Sequence, residues 1–236
     1  MFRAMSFTPP PPDCPLCPRL VAFREQNRIN YPAFFNAPVP PFGELNAQLL
    51  IVGLAPGLQG ANQTGRPFTG DYAGIILYDS LLKSGFAEGD YLATLPESVK
   101  GRIREGGNFQ WKSESQGGFR LHNCRITNAV RCVPPENKPE NDEIKQCNVF
   151  LKNEIAAMPN LKVITSLGLI SHNAVLKATG HKVGYAKFTH GGMHKLTDTI
   201  TLLDTYHCSR YNINTGRLTQ AMFDEIIERA KKLLGA

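Results

Sequence analysis

The sequence predicts an α/β protein, a three-layer α/β/α sandwich around a four-stranded, mainly parallel sheet. Three observations lead to this fold class. Four short apolar runs have the length of buried strands, helical patterns separate them along the chain, and the last helix carries its apolar residues at helical spacing. Strands that alternate with helices are typical of a parallel sheet that is covered on both faces.

Two helices and one strand are predicted in the first half of the chain. Residues 17–28 carry apolar side chains among charges and favour a short helix. Residues 47–53 form an apolar run that ends in glycine, which indicates a buried strand, and residues 73–82 follow with a helical pattern. Residues 84–118 are polar and rich in glycine, so we expect an irregular segment there that is long for a compact domain.

The second half of the chain alternates between strand and helix patterns. Asn141 is predicted to cap the longest helix, and Pro159 to stop it. Thr219 is the predicted N-cap of the last helix, whose apolar side chains form one face. The predicted elements of this half are strands at 124–130, 162–167 and 199–206 and helices at 141–158, 169–178 and from 219 onward.

A single domain accounts for this pattern. The 236-residue chain is 42% hydrophobic and 19% charged, which is enough apolar material for a core and too little charge for a disordered protein. We expect one domain over residues 13–236 behind an extended, proline-rich arm over residues 1–12. The sequence has neither a signal-peptide pattern nor an apolar run of membrane-spanning length. We therefore expect a cytoplasmic monomer with no membrane partner, whose net charge of +6 permits binding to a polyanion.

Three polar loops leave the carboxyl ends of the predicted strands, and they hold most of the unusual residues in the chain. They span residues 54–71, 127–138 and 206–217. Ligands of open α/β sheets bind outside the carboxyl ends of the strands. The sequence therefore predicts a site where these three loops converge.

Four cysteines have the spacing of a metal site. Cys14 and Cys17 are separated by two residues, which lets both thiolates bind one metal from a single turn, and Cys132 and Cys147 follow far downstream. The spacing suits a zinc site and an iron–sulfur cluster equally and leaves that choice open. The alternative for Cys147 is a core thiol, since it shares a predicted helix face with apolar residues. Cys132 lies in a polar, proline-rich loop, where a core thiol is unexpected.

The glycine-rich segment 60–67 departs from a phosphate-binding P-loop. Its two glycines have P-loop spacing, but Arg66 and Pro67 stand where a lysine and a hydroxyl residue are required. This argues against the alternative of a nucleotide hydrolase. The simplest interpretation is a surface loop that ends in Asp71, with Asp71 as the cap of the following helix.

Four segments together resemble the motifs of the uracil-DNA glycosylases, in particular of their iron–sulfur, type-b branch, also called family 5. They are residues 53–57, 60–71, 126–139 and 206–219. The resemblance implies a monofunctional DNA glycosylase that flips deaminated bases out of DNA and hydrolyses the N-glycosidic bond, leaving an abasic site for base-excision repair. It also implies damaged DNA as the partner, containing uracil or hypoxanthine, and action at the nucleoid.

For the cysteines, the resemblance implies a [4Fe–4S] cluster bound by Cys14, Cys17, Cys132 and Cys147, a choice that spacing alone does not make. The resemblance extends over nearly the whole chain. A metal-stabilised nucleic-acid-binding module without catalysis would carry the same cysteines and the same basic charge, and it is the alternative function.

The chemistry of base removal suggests a role for four residues in the motifs. Phe68 is predicted to stack on the extruded base, and the Asn128 amide to offer a donor and an acceptor to the base edge. His207 is predicted to donate a hydrogen bond to the base oxygen on which negative charge develops. Asp71 is the candidate for orienting water or balancing the sugar cation. Outside this context each residue has an ordinary structural explanation, such as a core phenylalanine or a turn asparagine.

The remaining predicted substrate contacts lie in the first motif and the last loop. Gly53, Leu54 and Ala55 are expected to border the base. Leu54 and Ala55 stand where many glycosylases of the superfamily carry a polar residue, so we expect an apolar pocket with room for bases larger than uracil. Arg210 is expected to grip a DNA phosphate, next to Tyr211 as a wedge in the emptied base stack.

Overall fold

Residues 7–91 and 118–235 are described by the computed structural model of the chain. The strands are β1 (Leu49–Gly53), β2 (Ala87–Glu88), β3 (Arg120–Leu121), β4 (Cys124–Asn128), β5 (Val163–Leu167), β6 (Met193–Lys195) and β7 (Thr201–Thr205). The α-helices are α1 (Pro18–Asn30), α2 (Ala61–Thr64), α3 (Tyr72–Ser84), α4 (Asn141–Ala156), α5 (Leu169–Ala178), α6 (Arg210–Asn214) and α7 (Gln220–Leu234). Pro135–Asn137 and Val183–Tyr185 are 3₁₀ helices.

A five-stranded sheet in the order β4-β1-β5-β7-β6 forms the centre of the fold. The strands β4, β1, β5 and β7 are parallel, and β6 joins the edge antiparallel to β7. The predicted α/β fold with a mainly parallel sheet is confirmed, but the predicted strand count of four is wrong. The additional strand is β6, whose short sequence Met193–Lys195 is partly exposed and has no apolar pattern. Only its pairing with β7 makes it a strand.

Local capping agrees with the sequence at two helices and differs at a third. Thr219 caps α7 as predicted, and Asp71 caps α3. Asn141 is the first residue of α4 and not its cap; the cap is Glu140, in a capping box with Glu143. A capping box that begins with glutamate lacks the usual serine or threonine, which is why the sequence does not indicate it. Two short helices, α2 and α6, lie in segments that are predicted as loops.

Two of the predicted segments lie partly outside the described residues. These are the arm, of which residues 1–6 are not described, and the irregular segment, of which residues 92–117 are not described. Residues 7–12 contain no helix or strand, and β2 pairs antiparallel with β3 on either side of the second gap. Within residues 7–91 and 118–235, no helix combines the length and the apolar character that a membrane span requires.

The interior strand β1 separates two apolar cores. Leu49 and Ile51 face the core that includes α3 and α7, whereas Leu50 and Val52 face the core that includes α4 and α5. All five residues of β1 are buried, as expected for a parallel strand that is covered on both faces. Its last residue, Gly53, lies at the sheet's carboxyl edge, between the ends of β4 and β5.

A buried polar network fastens the β6 edge of the sheet. His172 of α5 lies with Nδ1 2.8 Å from Asp204 Oδ1 and Nε2 3.1 Å from the carbonyl oxygen of Ala186. Both partners are acceptors, so His172 donates to both only as an imidazolium. Burial alone would lower the pKa of His172, but the hydrogen bond and charge of Asp204 outweigh it and raise the pKa. His194 of β6 lies with Nε2 3.0 Å from Asp204 Oδ2, so one carboxylate joins three elements.

Asp204→Asn is expected to lower the free energy of unfolding by about 3–5 kcal/mol, because it leaves the His172 imidazolium buried without its counter-charge. The stabilising contribution of His172 is complete below its ordinary pKa of 6.5 and is lost as the pH rises through the raised pKa of the folded protein. Urea unfolding of both proteins over this pH range measures both effects. Asp198→Asn, at an exposed side chain before β7, is the matched control, with an expected change within about 0.5 kcal/mol. A variant as stable as this control would contradict the buried ion pair.

Candidate active site

A cavity of about 1030 Å³ opens at the carboxyl edge of the sheet. We call it the edge cavity. All three predicted loops line it: residues between 54 and 75 after β1, Asn137 after β4, and residues between 207 and 210 after β7. The carboxyl ends of parallel strands meet at one edge of a sheet, which is why loops so distant in sequence converge here.

Gly53 permits a close approach of two predicted site residues beside this cavity. It ends β1 opposite Asn128, the last residue of β4. A Cβ atom at Gly53 would lie 2.4 Å from Asn128 Oδ1 and 2.5 Å from Phe68 Cζ. Among the described residues, Asn128 Oδ1 is buried and has no hydrogen-bond partner. A desolvated amide oxygen beside an aromatic ring is an acceptor that a ligand N–H can satisfy.

Phe68 is held in a backbone conformation that phenylalanine seldom adopts. Its φ is +54°, in the left-handed region. The hydroxyl of Tyr91 donates to the Phe68 carbonyl at 3.1 Å, and that of Tyr78 donates to the Pro67 carbonyl at 2.7 Å. The ring stacks towards His207, with 6.1 Å between the ring centroids. Strain that the surroundings enforce in this way is typical of functional positions.

Asp71 both caps α3 and lines the edge cavity. Its Oδ1 accepts a hydrogen bond from the Gly74 N–H at 3.0 Å. Burial raises the pKa of Asp71, and the N–H groups of Gly74 and Ala73 counteract this rise only in part. The structural explanation for this residue, a helix cap, therefore holds together with its position at the cavity. One carboxylate oxygen caps the helix, and the side chain also lines the edge cavity.

His207 lines the edge cavity just after β7 and is neutral. Burial lowers its pKa to about 4. A neutral imidazole carries one N–H donor and one acceptor, and it avoids the cost of burying a charge. The Asn212 side-chain amide of α6 donates to the His207 carbonyl at 2.8 Å, which helps to hold the backbone of this residue.

Arginine side chains occupy two different environments near the site. Arg210, exposed at the start of α6, places its guanidinium 5.4 Å from the ring centroid of Tyr72, and both residues line the edge cavity. Arg66 lies instead over the rings of Phe42 and Phe119, at 5.3 and 5.7 Å from their centroids. It does not line the cavity.

The glycine-rich segment uses its own backbone donors. The Asn62 N–H donates to the Gly57 carbonyl, and the N–H groups of Gln63 and Thr64 donate to the Gly60 carbonyl, which forms the short helix α2. A phosphate-binding loop needs such N–H groups free to point at the ligand. The hydrogen bonds of the segment thus agree with its missing lysine in arguing against a nucleotide hydrolase.

The four cysteines with metal-site spacing line one small, partly open cavity, which we call the cysteine cavity. Cys14, Cys17, Cys132 and Cys147 all line it. Burial, with further effect from neighbouring thiols, raises the pKa of Cys17 to about 11 and that of Cys132 to about 12. Burial also raises the pKa of Cys147. A cation in this cavity would stabilise the thiolate forms of Cys17, Cys132 and Cys147, whose pKa values are raised.

A second group with metal-ligand chemistry is the His172, His194 and Asp204 network. Its ligand atoms lie within 4.8 Å of one another. The spacing of these residues along the chain does not indicate such a group. In the structure both histidine side chains are hydrogen-bonded to Asp204, and His172 also to the carbonyl of Ala186.

Comparison with known proteins identifies the family. The family model of the uracil DNA glycosylase superfamily matches residues 40–231. The chain belongs to this superfamily. It is 39% identical over 227 residues to a type-5 uracil-DNA glycosylase of Thermus thermophilus, covering 94% of each chain. Those of Mycobacterium leprae and Pyrobaculum aerophilum are 37% and 33% identical over 231 and 222 residues, covering 94% and 92% of this chain and 92% and 88% of theirs. The resemblance and the predicted enzyme class, a DNA glycosylase, are confirmed.

In this protein the predicted site residues fall into two groups. The first group lines the edge cavity and comprises Leu54, Ala55, Asp71, His207 and Arg210. The second group does not line the cavity and comprises Gly53, Phe68 and Asn128, which lie close to one another, with the Phe68 ring stacked on His207. Tyr72 and Asn137 also line the cavity and are not among the predicted residues. The left-handed φ of +57° at Asn137 suits asparagine, but sequence alone does not reveal it.

We expect the His207 imidazole to titrate near pH 4 and not near its ordinary pKa of 6.5, because its surroundings disfavour the charged form. An NMR pH titration of the ring measures this value. In the unfolded chain the same ring takes up a proton near pH 6.5. Because the folded protein does so only near pH 4, His207 lowers the free energy of unfolding as the pH drops from 6.5 towards 4. His207→Gln serves as the control that assigns the resonance. A midpoint near 6.5 would show that the ring is solvated.

Proposed function

We propose that this enzyme removes uracil from DNA, by flipping the damaged nucleotide out of the helix and hydrolysing its N-glycosidic bond. The abasic site that remains initiates base-excision repair. The observation that carries the proposal is the buried, unpartnered Asn128 Oδ1 beside the Phe68 ring, which stacks on His207 of the edge cavity; Asp71 also lines this cavity. The type-5 uracil-DNA glycosylases to which the chain is similar support the same activity.

The Asn128 amide is suited to select the base by its hydrogen-bonding edge. Uracil presents an N–H donor next to a carbonyl acceptor, and an amide offers the matching acceptor and donor. Cytosine presents the reverse pattern, a ring nitrogen acceptor next to an amino donor, so with the amide oriented as in the structure the buried oxygen would face an acceptor, which is costly in a desolvated site. Hypoxanthine has the same N–H and carbonyl pattern on its six-membered ring, so we propose it as a second substrate.

His207 and Asp71 are proposed to act on the two fragments of the breaking bond. As the bond from the sugar C1′ to the base nitrogen breaks, its electron pair goes to the base. A neutral His207 donates its N–H to the base oxygen that gains charge, a contact of a kind worth about 3–4 kcal/mol. The Asp71 carboxylate balances the cationic sugar and accepts a proton from the water that attacks C1′. The departing base takes up a proton, which completes the hydrolysis.

Binding of the DNA strand is assigned to the rim of the edge cavity. Arg210 is exposed there, over the ring of Tyr72, and we propose that it contacts a phosphate beside the flipped nucleotide. Tyr211 is 71% exposed, which suits a side chain that enters the gap left in the base stack.

We also propose that the enzyme acts as a monomer on nucleoid DNA in the cytoplasm, with residues 13–236 as one domain behind the arm.

For the cysteine cavity we propose a [4Fe–4S] cluster held by Cys14, Cys17, Cys132 and Cys147. All four cysteines line one small cavity, which fits a group that takes four thiolate ligands. When bound, such a cluster would cross-link the segment before α1 to the loop after β4 and to α4. The chain's own contribution is to bring four cysteines that are far apart in sequence to one cavity, with Cys14 and Cys147 buried.

Asp71→Asn is expected to lower the single-turnover rate on uracil-containing DNA by about 10²–10⁴-fold, because it removes the general base. Asparagine is an equally good N-cap, so α3 should keep its stability, whereas Asp71→Ala should also lose about 0.5–2 kcal/mol. Abasic-site formation at enzyme excess and thermal unfolding measure the two effects separately. An Asn variant with the wild-type rate would exclude the catalytic role of Asp71. No product from the wild-type protein would favour the alternative, DNA binding without catalysis.

Leu54→Ala is expected to raise the rate on hypoxanthine relative to uracil, because it enlarges the apolar part of the cavity wall. The measurement is the ratio of single-turnover rates on two duplexes that differ only in the damaged base. Asn128→Ala is the comparison variant: it should slow both reactions to a similar extent, since both bases present the same edge. An unchanged ratio in Leu54→Ala would mean that Leu54 does not set the base preference.

A further inference from the structure

Two buried arginines face the cysteine cavity with unused hydrogen-bonding capacity. Arg131 is 1% exposed and Arg24 is 3% exposed, and both line the cavity. Among the described residues, Arg131 Nε and Nη1 and Arg24 Nε have no hydrogen-bond partner. Buried guanidinium N–H groups are costly to leave unpaired, so their presence on this wall points to an acceptor within the cavity.

The contacts that these arginines do make leave an excess of positive charge. Arg131 Nη2 donates to Glu154, a fully buried carboxylate that also accepts from Arg125 Nε at 2.6 Å. One carboxylate thus serves two guanidinium groups. Arg24 Nη1 donates to the carbonyl of Cys14 at 3.2 Å, and its Nε lies 3.7 Å from the Glu25 carboxylate, at the exposed side. Buried charges of one sign need a counter-charge nearby.

The contacts of Arg131 also join the cysteine cavity to β4, the strand that ends at Asn128. Its backbone N–H donates to Cys147 Sγ at 3.3 Å. Its partner Glu154 accepts from Thr127 Oγ1 at 2.9 Å, and Thr127 is the residue before Asn128 in β4. A displacement of Arg131 would therefore reach the end of the strand that carries the base-binding amide.

We propose that Arg24 and Arg131 are positioning residues that supply the counter-charge of the metal cluster in the cysteine cavity. The inference rests on the cofactor in the proposed function. A cluster bound by four thiolates is anionic, and it becomes more so when it is reduced. Cations beside it favour both its retention and its reduced form, and the hydrogen bonds they offer to its sulfur atoms act in the same direction.

The test compares Arg131→Gln with Arg125→Gln in the purified, cluster-loaded protein. Both variants remove a buried guanidinium from Glu154, but only Arg131 lines the cysteine cavity. We expect Arg131→Gln to lower the reduction potential of the cluster and to shorten its lifetime against an iron chelator by about tenfold or more. Arg125→Gln should keep the potential and the lifetime of the wild type, although its melting temperature falls. Arg131→Lys should largely restore the potential.

Several outcomes separate this inference from the cofactor proposal. Equal potentials and lifetimes in Arg131→Gln and Arg125→Gln would overturn the inference and leave the cluster in place. If Arg131→Gln does not fold, Arg24→Gln is the variant to measure, because it removes a positive charge from the same cavity and Arg24 does not contact Glu154. An unchanged reduction potential in Arg24→Gln would also overturn the inference. A wild-type protein without iron and acid-labile sulfide would overturn the cofactor proposal, and the inference with it.

Discussion

The candidate active site depends on the absence of one Cβ atom. Gly53 ends β1 where β4 also ends, and any larger residue would collide with the Asn128 amide and the Phe68 ring. This contact places the amide and the ring together at the carboxyl edge of the sheet. The left-handed conformation of Phe68 and the unpaired oxygen of Asn128 both lower the stability of the folded protein, and they lie at the same point.

Desolvation gives the residues around the edge cavity their chemical character. Burial raises the pKa of Asp71 and lowers that of His207, so each is biased towards its neutral form. A neutral histidine is a hydrogen-bond donor that does not require a buried charge, which suits contact with a base. The carboxylate of Asp71 is kept available in part by the N–H groups at the start of α3, so a helix cap also serves the site.

The strand β4 links this site to the cysteine cavity. Asn128 lies at its end, Thr127 binds Glu154, and Arg131 follows in the loop that also carries Cys132. The order of these residues means that the same short stretch of chain belongs to both sites. A group bound by the cysteines would thus stabilise the end of β4 and the loop that follows it, and the proposed role of the buried arginines is to balance the charge of that group.

The sequence by itself determined the α/β class, the four parallel strands, the convergence of three loops and the set of four cysteines, because strand burial and residue spacing are local patterns. The tertiary structure decided what depends on distant contacts. β6 is a strand only through its pairing with β7, and Tyr72 and Asn137 line the edge cavity only because their loops meet there. The unpaired groups of Asn128 and Arg131 likewise become visible only in the fold, since a polar side chain is unsatisfied only relative to the neighbours that packing provides.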